Sequence, residues 1–373
     1  MSPVQKQFFT LIQSGLWGMP ADETLFNNQT NWKQIYQLAR MQTLLGIVFD
    51  GIQTLPSEKR PPRNLYLQWC NALVQIEDNN RLLNKELANV YALYRANKIE
   101  PILLKGQGVA QNYRNPLHRH CGDIDLYLGD HYEFANKLLR LEATSEQEEF
   151  YTHSCMKWHG VSIENHRIIT SLNSPAVNRN FQKKINEWYN ASSWRTLSIG
   201  ECQVNVPPLE FDAAYILIHS ILHFLNDGIG LRQVCDWANL LHAQREQLNH
   251  KEVADMLHRW GLTKAAKAFG VIAVNYLGLP LQDLPIPFSE SDLKTGDWLL
   301  NDILQTGNFG QHDTSRAKRP KGYWSGKWYT LVRVTKRCYQ LGALAPAEAR
   351  WHPVMVALQS IRMQWEKLWR PRN

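Results

Sequence analysis

Nowhere in this 373-residue chain is there an apolar run of the ~18–20 residues that a membrane-spanning helix needs. The best, Phe269 to Leu281, is short and carries Asn275. Near the start only Phe8 to Ile12 is continuously apolar, too short for the core of a secretory leader, so a cytoplasmic protein is expected. Cysteine is sparse as well: six residues (Cys70, Cys121, Cys155, Cys202, Cys235, Cys338) lie far apart with no CxxC pair, which excludes a disulfide framework and a cysteine-built zinc site. Internal repeats and low-complexity tracts are missing. With 44% hydrophobic and 20% charged residues, disorder is excluded too, and the length suits about two domains.

Charge is in modest excess, 41 basic against 34 acidic residues for a net +7, and the excess is local. From Arg316 to Asn373 there are thirteen Lys/Arg and only two acids, Glu348 and Glu366, so the chain before Arg316 sums to −4. The basic residues Arg316, Lys318, Arg319, Lys321, Lys327, Arg333, Lys336 and Arg337 interleave with Trp324, Trp328 and Tyr329. Such a mixture suits contact with a polyanion, through phosphate pairing and stacking, an anionic membrane surface, or a solvated helix face.

The first hundred residues carry helical periodicity. Short amphipathic stretches span Gln5 to Leu16 and Trp32 to Ile52. After Pro61-Pro62 a long stripe, Trp69, Leu73, Ile76, Asn80, Leu83, Leu87, Val90 and Tyr94, runs to about Asn97 with one polar interruption at Asn80. The period then changes. Glu100 to Leu104 reads as a short strand ending at Lys105-Gly106, followed by a helix over Gln107 to Tyr113. Asp123 to Leu128 alternates as a half-buried strand does, His131 to Glu142 is helical, and Val161 to Glu164 alternates again. Beyond Pro207-Pro208 helices are expected over Leu209–Leu225, Leu231–Gln247 and Lys251–Leu279, then a polar loop from Gln305 to Lys321 and a last helix with Leu358, Ile361, Trp365 and Leu368 on one face. The expected organisation is an α+β module over 99–206, set between a helical region, 1–98, and a helical domain with a basic tail, 207–373.

Asp123 and Asp125 are the sharpest chemical feature. On a strand, residues i and i+2 share a face about 6.5–7 Å apart. Two carboxylates so placed suit a pair of divalent cations at the ~3.5–4 Å spacing of phosphoryl-transfer sites, and hard oxygen donors favour Mg²⁺ or Mn²⁺. A third carboxylate is expected on a neighbouring strand, where Glu164 is the only acid of the next strand-like run. Upstream, a strand entering a helix through Lys105-Gly106 offers backbone N–H groups to phosphate, and Lys105 and Arg119 are the cations available to neutralise a triphosphate.

The run Leu103-Leu104-Lys105-Gly106-Gln107-Gly108-Val109-Ala110, followed by Tyr113, Pro116, Arg119, Gly122 and Asp123-Ile124-Asp125-Leu126, resembles the core motif of the largely uncharacterised bacterial nucleotidyltransferase-family proteins of the polymerase-β-like superfamily. The resemblance is closest over Pro101 to Leu128 and looser in Val161 to His166 and Leu209 to Leu241. It implies a small mixed nucleotidyltransferase sheet embedded in a mainly α-helical protein, two Mg²⁺ or Mn²⁺ ions held by Asp123, Asp125 and Glu164, and phosphate contact near Gly106. It also implies transfer of a nucleoside monophosphate from an NTP to an acceptor of unspecified kind. Where the superfamily usually has Gly-Ser, this chain has Lys105-Gly106-Gln107.

Two other classes stay open on the residues alone: a glycosyltransferase, which also holds a nucleotide sugar through a metal on DxD, and a catalytically silent module that keeps the fold for binding. The Lys105-Gly106 turn disfavours the first. His219 and His223, four apart on a helix, have a zinc-helix spacing but no Glu between them in the required place. His118, His120, His153, His159 and His166 cluster in sequence near the acidic pair; His166, two residues after Glu164, suits either a substrate contact or a structural hydrogen bond. Arg232 and Asp236, also four apart, are expected to pair.

Overall fold

The computed structural model describes residues 1–145, 148–226, 228–308 and 320–369. Helices α1 (Pro3–Trp17), α2 (Trp32–Met41) and α3 (Leu45–Gln53) form an N-terminal group, and α4 (Arg63–Ala96) follows Pro61-Pro62 as a single 34-residue helix. The stretch expected to be one helix over Trp32 to Ile52 is two, because the chain turns at Thr43 with φ 54°. Capping is local and legible: Ser2 closes a capping box with Gln5, and Asn31 accepts from the Gln34 N–H.

Among the described residues seven strands occur, between Ile102 and Val206. They are β1 (Ile102–Leu104), β2 (Ile124–Tyr127), β3 (Glu148–Glu149), β4 (His153–Trp158), β5 (Val161–His166), β6 (Arg195–Ile199) and β7 (Cys202–Val206), in the order β3-β4-β5-β2-β1-β7-β6. The sheet is mixed: β2 runs antiparallel to β1 but parallel to β5, and β1 is parallel to β7. Between strands come α5 (Gly106–Ala110), α6 (Tyr132–Arg140) and α7 (Pro175–Asn190). The helix expected over Gln107 to Tyr113 is thus only five residues long.

The C-terminal part is helical, with α8 (Leu209–Asn226), α9 (Leu231–Ala243), α10 (His250–Arg259), α11 (Thr263–Asn275), α12 (Glu290–Thr306), α13 (Tyr323–Leu341) and α14 (Pro346–Trp369). The helix expected over Lys251 to Leu279 is divided between α10 and α11, where Gly261 takes φ +70°. No helix among the described residues is long and apolar enough to cross a membrane.

The sheet separates two cores, and that separation positions the acidic residues. One face, carrying Leu103, Ile124, Leu126 and Ile163, packs on Leu83, Leu87, Val90 and Tyr94 of α4 and on α6. The opposite face, with Ile102, Leu104 and Tyr127, joins the larger core built from α1–α3 and the C-terminal helices. Because side chains alternate along a strand, Asp125 between Ile124 and Leu126 turns toward the helical side. Asn80, the polar interruption in the α4 stripe, donates to the carbonyls of Leu117 (2.6 Å) and Arg119 (2.8 Å), and Asn79 donates to that of Cys121 (3.0 Å). Those bonds clamp the loop that leads into β2.

Of the basic C-terminal residues, Arg316, Lys318 and Arg319 lie outside the described residues, as do most of the expected loop from Gln305 to Lys321 and the side chains of Ile361, Trp365 and Leu368. Trp324 and Trp328 are exposed. Arg337 is spent internally: it forks onto Asp302, with Nη2 2.7 Å from Oδ2, and stacks on Phe224 of α8 at 4.4 Å.

Candidate functional site

The site is assembled by register. In the parallel β2–β5 pair Asp125 lies directly opposite Glu164, and in the antiparallel β1–β2 pair it lies opposite Leu104. Asp123 stands one residue before β2 begins. Ligand oxygens of Asp123, Asp125 and Glu164 all come within 4.8 Å of one another. The geometry therefore brings together the three carboxylates singled out from sequence.

Lys105 reaches the same point from β1. Its backbone takes φ 51°, ψ −139°, a conformation that costs a side-chain-bearing residue of order 1–3 kcal/mol, and Gly106 follows at φ 44°. Two successive positive φ values turn the chain sharply out of β1, an interior strand, and Lys105 Nζ ends 3.1 Å from Asp125 Oδ1. A Cβ on Gly106 would meet nothing closer than the Asp123 carbonyl at 3.6 Å, so glycine is required here by the backbone conformation rather than by space. Gln107 donates from Nε2 to that same carbonyl at 3.1 Å, tying the turn to the start of β2.

His166 Nε2 lies 3.0 Å from Asp125 Oδ1 and 3.6 Å from Glu164 Oε2. His153, opposite His166 in the β4–β5 hairpin, stacks on it with ring centroids 4.9 Å apart, and its Nε2 is also 3.6 Å from Glu164 Oε2. The electrostatics follow from these contacts. Burial alone would raise the Asp125 carboxyl, but Lys105 and then the His166 hydrogen bond outweigh it and hold it well below the usual range. Asp123 moves the other way, pushed up to about 6, first by the neighbouring Asp125 charge and then by burial. Burial pulls Lys105 down, yet Asp125 leads the surrounding groups in holding it charged. The result is a divided pair: one carboxylate firmly ionised, its neighbour ready to take or lose a proton near neutrality.

Helix α8 covers this face. Tyr215 lies in the field of Lys105, Asp125 and Glu164, and its buried hydroxyl has no hydrogen-bond partner among the described residues. One turn on, His219 is kept well below the ordinary histidine range by burial and then by Lys105. His219 packs edge-on against His223 at 4.3 Å, and neither belongs to a metal-capable group among the described residues. Tyr215 was not singled out from sequence, although it precedes His219 by four residues and so shares its helix face.

Arg119 is placed elsewhere than the sequence suggests. It is 4% exposed and committed to Asp236, with Nε to Oδ1 at 2.7 Å and Nη2 to Oδ2 at 2.8 Å, while Tyr113 donates to Oδ1 at 2.7 Å. Arg232, the expected partner of Asp236, is more distant at 3.6 Å and donates from Nε to Thr43 Oγ1 at 3.2 Å. Arg232 rather than Arg119 is the guanidinium felt by Asp123. Of the remaining histidines, His118 bridges Asp50 (2.7 Å) and Glu77 (2.9 Å), and His159 sits beside Glu86 at 2.9 Å.

The family model for uncharacterised nucleotidyltransferases matches residues 28–278. No curated protein is matched. Among solved structures, an antigenic nucleotidyltransferase-like protein from Paracoccidioides brasiliensis is similar at 11% identity and a TM-score of 0.33, over 57% of this chain and 96% of that one. The family match takes in the whole sheet, the Lys105 turn, all three carboxylates and the helices that cover them, more than half of the chain, and the chain thus belongs to the family of uncharacterised nucleotidyltransferases.

Proposed function

We propose that the protein transfers a nucleoside monophosphate from an NTP to an acceptor at the face formed by Asp123, Asp125 and Glu164. The observation that carries this reading is the convergence of three carboxylates from two parallel strands beside a buried lysine. The donor set fits hard divalent cations, Mg²⁺ or Mn²⁺: every ligand is an anionic oxygen, and the mutual repulsion that lifts Asp123 is what a bound cation relieves. Bound there, two such cations supply charge for the triphosphate and for the attacking oxygen.

The chain's own groups divide the remaining work. Asp125 is kept ionised by Lys105 and His166 and so stays available as a ligand. Glu164, a quarter exposed at its side chain, is open to the acceptor and can take its proton at Oε2, becoming neutral, with His166 Nε2 and His153 Nε2 each 3.6 Å from that oxygen. Lys105, 3.1 Å from Asp125, would be the ammonium available to the phosphates, and Arg232, whose charge acts on Asp123, would be a second cation there in place of Arg119. The α8 roof, with Tyr215 and a neutral His219, limits water above Lys105.

Incubation with NTPs labelled at the α-phosphate, Mg²⁺ and a cell extract tests the proposal. Label should pass to protein, RNA or a small molecule and be lost in Asp123→Asn and Asp125→Asn. Equal labelling by wild type and both variants would overturn it.

A further inference from the structure

The His153–Glu164–His166 group has a chemistry of its own. The β4–β5 hairpin turns through His159 (φ 45°) and Gly160 (φ 88°), a two-residue turn with both central residues at positive φ. That turn sets the register from Trp158 opposite Val161 back to His153 opposite His166. Both imidazoles therefore stand on the face that carries Glu164.

Their donor atoms are spaced for one ion. His153 Nε2 and His166 Nε2 are each 3.6 Å from Glu164 Oε2. Ligands bonded at 2.0–2.2 Å to a tetrahedral zinc lie about 3.3–3.6 Å from one another, a spacing both His–Glu pairs meet, and the three donor atoms all lie within 4.8 Å of one another. The outer contact on His153 is also in place: Thr152 Oγ1 lies 3.0 Å from Nδ1, so with the hydroxyl accepting, the Nε2 lone pair faces Glu164. On His166, Nε2 lies 3.0 Å from Asp125 Oδ1 and 3.6 Å from Glu164 Oε2, so a cation held there displaces the Nε2 proton and takes the place of the hydrogen bond to Asp125, while Nδ1 has no partner among the described residues. Side chains of His153 and Glu164 are 21% and 23% exposed, which leaves an entry route and an open fourth position.

We propose that His153, His166 and Glu164 form a separate site for a borderline transition-metal cation such as Zn²⁺, adjoining the all-carboxylate group and sharing Glu164 with it. Imidazole donors favour Zn²⁺ over Mg²⁺, whereas Asp123, Asp125 and Glu164 favour the harder ion. The site needs no nucleotide, so it stands or falls apart from the transferase reading.

Calorimetric titration of the metal-free full chain with Zn²⁺ in excess Mg²⁺ tests it. Wild type should bind one Zn²⁺ that Mg²⁺ does not displace. His153→Ala should weaken that binding by at least the about 10–100-fold that even an outer-shell partner is worth, and Thr152→Val should weaken it less. Asp123→Asn, outside the donor set but with its carboxylate within 4.8 Å of that of Glu164, should weaken it less than His153→Ala does. Cobalt(II) substituted for zinc reports the ligands directly, since its visible absorption should change in His153→Ala, whose half-buried side chain can be removed without opening the core. No Zn²⁺ binding in wild type, or equal affinity in His153→Ala, overturns the inference. Loss of NTP labelling with Zn²⁺ binding intact counts only against the transferase reading.

Discussion

Arg119 offers the most decisive separation of a structural from a substrate-binding role. The guanidinium and the Asp236 carboxylate are both 4% exposed, joined by two short bonds, with the Tyr113 hydroxyl adding a third to the same carboxylate. Burial raises the Asp236 carboxyl, but Arg119 more than offsets that and holds it ionised. Asp236→Ala would leave a buried guanidinium with no counter-charge, a change that costs about 3–5 kcal/mol where one partner of a buried pair is removed. Against a total stability of about 5–15 kcal/mol, that is a large fraction. Urea denaturation followed by far-UV circular dichroism and by tryptophan fluorescence should therefore show a markedly lower midpoint for Asp236→Ala and for Arg119→Met. The double variant Arg119→Met/Asp236→Leu should recover part of the loss, because the fully buried Arg119 charge leaves with its partner, while Arg232, 3.6 Å from Asp236, still loses a carboxylate. A loss below about 1 kcal/mol in the single variants, together with weakened NTP binding in Arg119→Met, would refute the argument and return Arg119 to the phosphates.

Lys105→Met removes the ammonium beside two neighbouring carboxylates, so in EDTA its melting temperature should fall below wild type, while a divalent cation at about a hundred times its dissociation constant should restore about 2.7 kcal/mol; an equal Mg²⁺ response in both proteins would show that Lys105 does not balance Asp125. Gly106→Ala should cost about 1–2 kcal/mol from its φ of 44° alone, since a Cβ meets no close neighbour there, whereas Gly46→Ala should cost more because its Cβ collides with the His118 carbonyl. For His118, burial lowers the pKa but the hydrogen bonds and charges of Asp50 and then Glu77 outweigh it, leaving it above 6.5. The stability it contributes is fully present below pH 6.5 and lost as pH rises through the raised folded value. Denaturant midpoints measured from pH 6 to 9 should fall more steeply in wild type than in His118→Gln, where His166, also raised, still contributes.

Much of the site was legible along the chain because its informative signals are local. Alternation marks β2 and aims Asp125 away from Ile124 and Leu126; the Lys105-Gly106 step marks the end of β1; Pro61-Pro62 and Asn80 foretell the start of α4 and its polar contact. Less was legible where elements are short or carry little apolar contrast. One long period hides the breaks at Thr43 and Gly261, where positive φ rather than hydrophobicity ends the helix.

The sequence by itself determined an α+β chain with an acidic strand, a lysine-glycine turn and helices on either side, because periodicity and turn chemistry are properties of neighbouring residues. Tertiary structure alone decided the partners. Asp236 lies 117 residues from Arg119, and four residues from Arg232, yet the more distant residue holds it. His153 reaches Glu164 only through hairpin register, and the field of Lys105 acts on Tyr215, 110 residues further along the chain, only through the fold. Which charges are spent on one another and which remain for a ligand depends on burial and distance across the fold, and neither is written in the spacing of residues along the chain.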